Sequence, residues 1–293
     1  MESVKDLRRS AVLGLILAGA LGIAGCATTP SVPEPSGSAT SSIEKLCADV
    51  DVASCEFLAD GVVVTVAETA TDADTLKLGE LLHQEASSAG LEAGAVLQRA
   101  SVDVAPLDAE VSTPPRWRLT VYPGDATESA RILDEILAVA AIPGSLGIAV
   151  LDGWPYVTIA SLDQFEDVFD EVSAAALFAG GGTYTLLSLD ERLRIVHVPE
   201  RTTPGAIREI VSIARDYPAA EVLLEASTGG PQVPTLYVSR LTPEEVASLE
   251  TRLSAPRLAT ADVDGYAVEF VLGSTGTDGT TYTTGTLGGV PAD

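Results

Sequence analysis

The chain has 293 residues, with 42 acidic against 17 basic side chains and a formal net charge of -25. A surface of that sign is repelled by nucleic acid phosphates and by anionic lipid head groups, so neither is expected as a direct ligand of the folded part. Disorder is disfavoured too: 46% apolar and only 20% charged residues leave enough apolar side chain for a sizeable core, while 5% aromatic residues argue against a groove that stacks on sugars or bases.

Taken from the start, Lys5, Arg8 and Arg9 outweigh Glu2 and Asp6, and Ala11 to Gly25 is an uncharged apolar run of 15 residues. Crossing a hydrocarbon core as a helix takes about 20, so the run has the length of an export signal. It ends in Leu21-Gly22-Ile23-Ala24-Gly25-Cys26. A branched apolar residue three places before a cysteine, then two small residues, resembles the lipobox of bacterial lipoproteins. The resemblance covers Met1 to Cys26 only. It implies that residues 1–25 are a cleaved lipoprotein signal peptide and that Cys26 becomes the first mature residue, its thiol carrying diacylglycerol and its amino group open to acylation. The protein is then expected at the cell membrane, lipid-anchored on the extracytoplasmic face. One acyl chain binds a bilayer only marginally, whereas two or three hold a protein there. An uncleaved N-terminal membrane helix is the alternative and leaves the same residues outside.

Residues 26–42, rich in Pro, Ser and Thr, read as a flexible tether. Cys47 and Cys55 follow, and an isolated close pair in an oxidising compartment predicts a local disulfide, with a metal pair or two free thiols as alternatives. They open an N-terminal half unit over residues 43–110. In it Gly61–Ala67 is a buried-type strand, Asp72–Gly90 a helix and Ala95–Ala105 a second strand. The connection 106–115, carrying Pro and acids, marks a boundary.

A unit over residues 111–190 comes next. Arg116–Tyr122 alternates as a half-buried strand, and Asp125 caps a helix over 127–141. Leu146–Leu151 and Trp154–Ala160 form a hairpin around Asp152-Gly153. Phe165, Val168, Phe169 and Val172 then recur at helical spacing before a Gly180–Gly182 loop and a strand at 183–189. The order βαββαβ recurs over residues 191–273: Leu193–Val198, a helix opened by Thr203-Pro204, strands Glu221–Ala226 and Thr235–Ser239 around a turn at Ser227–Gln232, a helix opened by Thr242-Pro243-Glu244-Glu245, and Tyr266–Leu272. Residues 274–293 are expected as a loose Gly/Thr-rich tail or an edge hairpin. The fold class is therefore α+β: repeated βαβ, looking like tandem ferredoxin-like α/β sandwiches with antiparallel sheets and helices on one face. Counting from Gly61 shifts the phase of the repeat and leaves the half unit at the other end.

Motifs that carry chemistry are scarce. No G-x-S-x-G, H-E-x-x-H or phosphate-cradling glycine loop is present. Ser42-Ile43-Glu44-Lys45 matches the S-x-x-K of penicillin-binding enzymes but lacks its companion motifs. His83 and His197 sit on distant segments, so no metal site is expected of them. Asp49 with Asp51, and Asp72 with Asp74, fit capping better than calcium, since neither run has an EF-hand's glycine and distal glutamate. Arg116 and Arg118 share one strand face of an acidic protein and read as partners of nearby acids. No catalytic residue and no cofactor is expected. The sequence points to a non-catalytic binder or scaffold at the cell envelope whose partner is another envelope protein, docked on a sheet edge or a helix-free sheet face. An envelope hydrolase using a carboxylate pair and a tethered solute receptor are the rivals.

Overall fold

The computed structural model describes residues 37–58, 61–91, 94–101, 114–151, 153–179, 184–197, 204–225, 233–263, 265–276 and 279–289. All fall in the unit Pro35–Asp293. Cys26 and the lipobox, residues 26–36 of the tether, and the 180–182 and 227–232 loops lie outside the described residues.

Helix α1 (Gly37–Leu46) takes in the last six residues that the sequence assigned to the tether. Ile43 and Leu46 explain why, since both bury their side chains in the core. Cys47, one residue on, is disulfide-bonded to Cys55 of β1 (Val52–Phe57), which pairs antiparallel with β2 (Val62–Val66).

Five βαβ units then follow in series. The first runs from β2 through α2 (Asp72–Ala89) to β3 (Ala95–Arg99), and the second from β4 (Trp117–Val121) through α3 (Ala126–Ala140) to β5 (Ser145–Leu151). The third is β6 (Trp154–Ile159), α4 (Phe165–Ala174) with the short α5 (Ala176–Ala179), and β7 (Tyr184–Ser188). The fourth is β8 (Leu193–His197), α6 (Pro204–Asp216) and β9 (Glu221–Glu225). The fifth is β10 (Thr235–Leu241) and α7 (Pro243–Leu253), then a small two-stranded sheet of β11 (Asp262–Val263) and β12 (Tyr266–Ala267), and finally β13 (Glu269–Gly276). Strand β14 (Gly279–Thr286) closes the sheet as an edge hairpin with β13.

Local chemistry sets the helix starts. Thr71 and Asp74 exchange hydrogen bonds across the first turn of α2, as Thr242 and Glu245 do for α7, and Asp125 Oδ1 accepts from Thr127 and Glu128 at α3. Gly90, at φ 64°, ends α2 in the left-handed conformation that glycine adopts without steric cost.

The expected antiparallel, separate ferredoxin-like sheets are not what forms. The structure has one mixed 12-stranded sheet in chain order, β1 to β10 followed by β13 and β14. Each helical crossover joins neighbouring parallel strands, and each of the other connections joins neighbouring antiparallel ones. The physical reason is that every strand pairs with its sequence neighbour. No foreign strand enters a βαβ unit, so neighbouring units keep no edges of their own and fuse.

One face of this sheet is the core. Val64, Leu97, Leu119, Ile148, Val157, Leu186, Ile195, Leu224, Leu236 and Phe270 form a belt across ten strands, each at most 3% exposed. The helices cover that face side by side: α2 meets α3 where Gly79 faces Leu133, α4 and α6 are bridged by Glu166 and Arg208, and α6 and α7 by Glu209 and Arg252. No helix among the described residues is long and apolar enough to cross a membrane.

Candidate functional site

Because strand side chains alternate, a sheet covered by helices on one face presents its other positions on the opposite face. The registers put one such position from each strand into a single transverse row. From β1 to β6 it reads Ser54, Thr65, Gln98, Arg118, Ala149 and Tyr156. From β7 to β14 it continues Thr185, Val196, Glu225, Thr235, Glu269 and Thr286. The face is flat in chemistry, built mainly of short hydroxyl and apolar side chains. Gln98 Nε2 donates to Thr65 Oγ1 at 3.3 Å, and Leu151, Trp154 and Tyr237 stand exposed on the same side.

Charge is distributed unevenly over this face. From β2 to β8 its described strand positions include no carboxylate, although the chain has 42. Those positions hold Arg118 and, at the far side, Arg194. From β9 to β13 the face holds Glu221, Glu225 and Glu269, of which Glu221 is ion-paired with Arg240 of β10.

Arg118 is the unusual member. Its Nε is shielded from solvent and has no hydrogen-bond partner, and it makes no ion pair among the described residues. Seven other arginines, Arg131, Arg192, Arg208, Arg215, Arg240, Arg252 and Arg257, are ion-paired. Among the described residues, neither Arg116 nor Arg118 pairs with an acid as expected. Arg116 donates to the backbone carbonyl of Ser145, burial lowering its pKa, and Arg118 has only Gln98 and Ala149 as cross-strand neighbours.

The remaining candidates are structural. His83 is buried on α2 with Nε2 3.2 Å from the Gly124 carbonyl, while His197 ends β8, four strands beyond the β4 on which α2 packs. Asp49 accepts from the Asp51 backbone, and Asp74 caps α2. Among the described residues no group of three His, Cys, Asp or Glu side chains could hold a metal ion. Tyr184 is buried against Phe178 with its hydroxyl 2.7 Å from Ser173 Oγ, and burial pushes its phenol well up despite that bond. Asp190 is pushed up by burial, but hydrogen bonds from Ser188 and Arg192 outweigh this and leave it below the usual carboxylate range. Both groups hold turns and packing together.

Sequence reasoning singled out Arg118 but missed Arg194, Glu225 and Glu269. Each lies at an ordinary polar position of an alternating strand, and only the register unites them with Arg118 on one face. Comparison of the chain with family models, with curated proteins and with solved structures finds no match.

Proposed function

We propose that this protein is a lipid-anchored lipoprotein of the cell envelope that works by binding, without catalysis, through its helix-free sheet face. Cys26 carries the anchor, and the tether after it lets the acidic folded part stand off the membrane. The partner is a protein of the envelope.

The observation that supports this reading best is Arg118. A polar group shielded without a partner costs about 1–3 kcal/mol, and here the group is cationic and sits on an open, charge-poor face. The residue as a whole stays partly exposed, so a carboxylate on a docked protein can pair with the outer part of the side chain. Depletion of charge with apolar and aromatic side chains at the centre is also the composition of an interface core.

Two experiments test it. Cys26→Ser is expected to release the protein from membranes or block its processing; unchanged lipid labelling would refute the anchor. A photo-crosslinking residue in place of Thr158, on the open face, should capture a protein in intact cells, identified by mass spectrometry. The same residue in place of Glu250, on the exposed side of α7, should not. Equal labelling of unrelated proteins from both positions would remove the case for the face.

A further inference from the structure

We propose that the partner on this face is a second copy of the chain, the two sheets packing face to face about a two-fold axis that runs parallel to the strands between β6 and β7. The inference rests on the reading of the face as a binding surface and adds its occupant.

The register carries it. With one row residue per strand and twelve strands in chain order, an axis through the middle of the sheet places the fourth strand over the ninth, the fifth over the eighth and the sixth over the seventh. Tyr156 then stands over Thr185 of the second copy, itself only 6% exposed, Ala149 over Val196, and Arg118 over Glu225. The two-fold repeats each contact, so a single complementary pair counts twice.

That arrangement answers the two oddities of the face. Arg118 gains a carboxylate, and Glu225, exposed and without an ion pair among the described residues, gains a guanidinium. The axis matches Arg118 with Glu225 and the two-fold repeats that match, while β8 with Arg194 falls over β5 and β13 with Glu269 falls over β2. Stacked sheets lie about 10 Å apart, a gap that an arginine and a glutamate reaching towards each other can span.

Size is adequate too. Twelve strands spaced about 4.8 Å apart and about five residues long offer a face of roughly 900 Å² in projection. A standard interface takes about 800 Å² per partner. The row centre at Ala149, Tyr156, Thr185 and Val196 is uncharged, so closing the two faces there buries no charge.

The test uses the full-length, membrane-anchored protein. A photo-crosslinking residue replacing Thr158 should yield an adduct of twice the chain mass. Arg118→Glu, which sets like charges opposite each other, should cut that adduct at least tenfold, and Glu225→Arg should do the same. The double variant Arg118→Glu with Glu225→Arg should restore it to within about twofold, a rescue that misfolding of either single variant would not give. Far-UV circular dichroism checks each fold. An adduct with a different protein overturns the second copy and leaves the binding face standing. No adduct at all overturns both, and a dimer adduct insensitive to Arg118→Glu overturns the geometry proposed.

Discussion

Glu209 of α6 ties α7 and the 3₁₀ turn Pro256–Leu258 to its own helix, and its removal has a predictable cost. Its Oε1 accepts from Arg252 Nε at 2.6 Å and its Oε2 from Arg257 Nη1 at 3.0 Å, with only 9% of the side chain exposed. Burial pushes the Glu209 carboxyl up, but the hydrogen bonds from Arg257 and Arg252 outweigh it and hold the group below the usual glutamate range. Breaking a buried ion pair by deleting one partner costs about 3–5 kcal/mol. Here Arg252 keeps Asp216 at 2.6 Å and Arg257 is 56% exposed and rehydrates, so the expected loss for Glu209→Gln is nearer 2 kcal/mol. For a unit of this size that lowers Tm by about 4–8 °C. Because the folded pKa is depressed, the contribution is complete above the unfolded value of about 4.3 and fades as pH falls through the folded value. Denaturant unfolding followed at several pH values should therefore show wild type and Glu209→Gln well apart at pH 7 and converging below about pH 4. A difference under about 0.5 kcal/mol at pH 7, or one that grows on acidification, would show that the network contributes no net stability.

Other substitutions probe other links. Cys55→Ser opens the loop closed by Cys47, whose sequence separation is 8. Chain entropy sets the cost at about 2.5 kcal/mol, and amide exchange should show it in α1 and β1 while the core strands stay protected. Thr242→Ala removes the hydroxyl that accepts from Glu245 and should cost about 1 kcal/mol in urea unfolding, with Thr242→Ser close to neutral. A Cβ on Gly79 would stand 2.6 Å from Leu133 Cδ2. Leu133 is buried and cannot swing into solvent, so Gly79→Val should lose about 2 kcal/mol despite the better helix propensity; stabilisation would mean that α2 and α3 are free to separate.

Much of the fold was legible because its signals are local. The capping Thr242 and Asp125, the stripe from Phe165 to Val172 and the hairpin ending in Leu151 and Trp154 all act over three or four residues, within reach of a window of sequence. Strand β1 was not legible: Val-Ala-Ser-Cys-Glu-Phe lies at the edge, partly exposed on both sides, and has no alternation to read. The open face was half legible. Arg118 stood out by charge alone, but its relation to Glu225 depends on five successive strand registers, each a long-range pairing that no local pattern encodes.

The order of the strands was the least legible feature, and the reason is topological. For a βαββαβ stretch, right-handed crossovers and a single helix layer are satisfied together when the second crossover returns across the first, which is the ferredoxin-like order. Here the strands advance in one direction through the whole sheet while every second connection reverses their sense, and the helices still share one face. Those three facts require successive crossovers to alternate in hand. The handedness preference is a local one, arising from strand twist as a single unit closes. Placing alternate helices on the opposite face would satisfy it. It would also break the continuous belt from Val64 to Phe270 into patches, and would cover the face that carries Arg118. Keeping one dry face costs the chain its preferred hand at alternate crossovers, and the open face exists because the helix layer is confined to the other side.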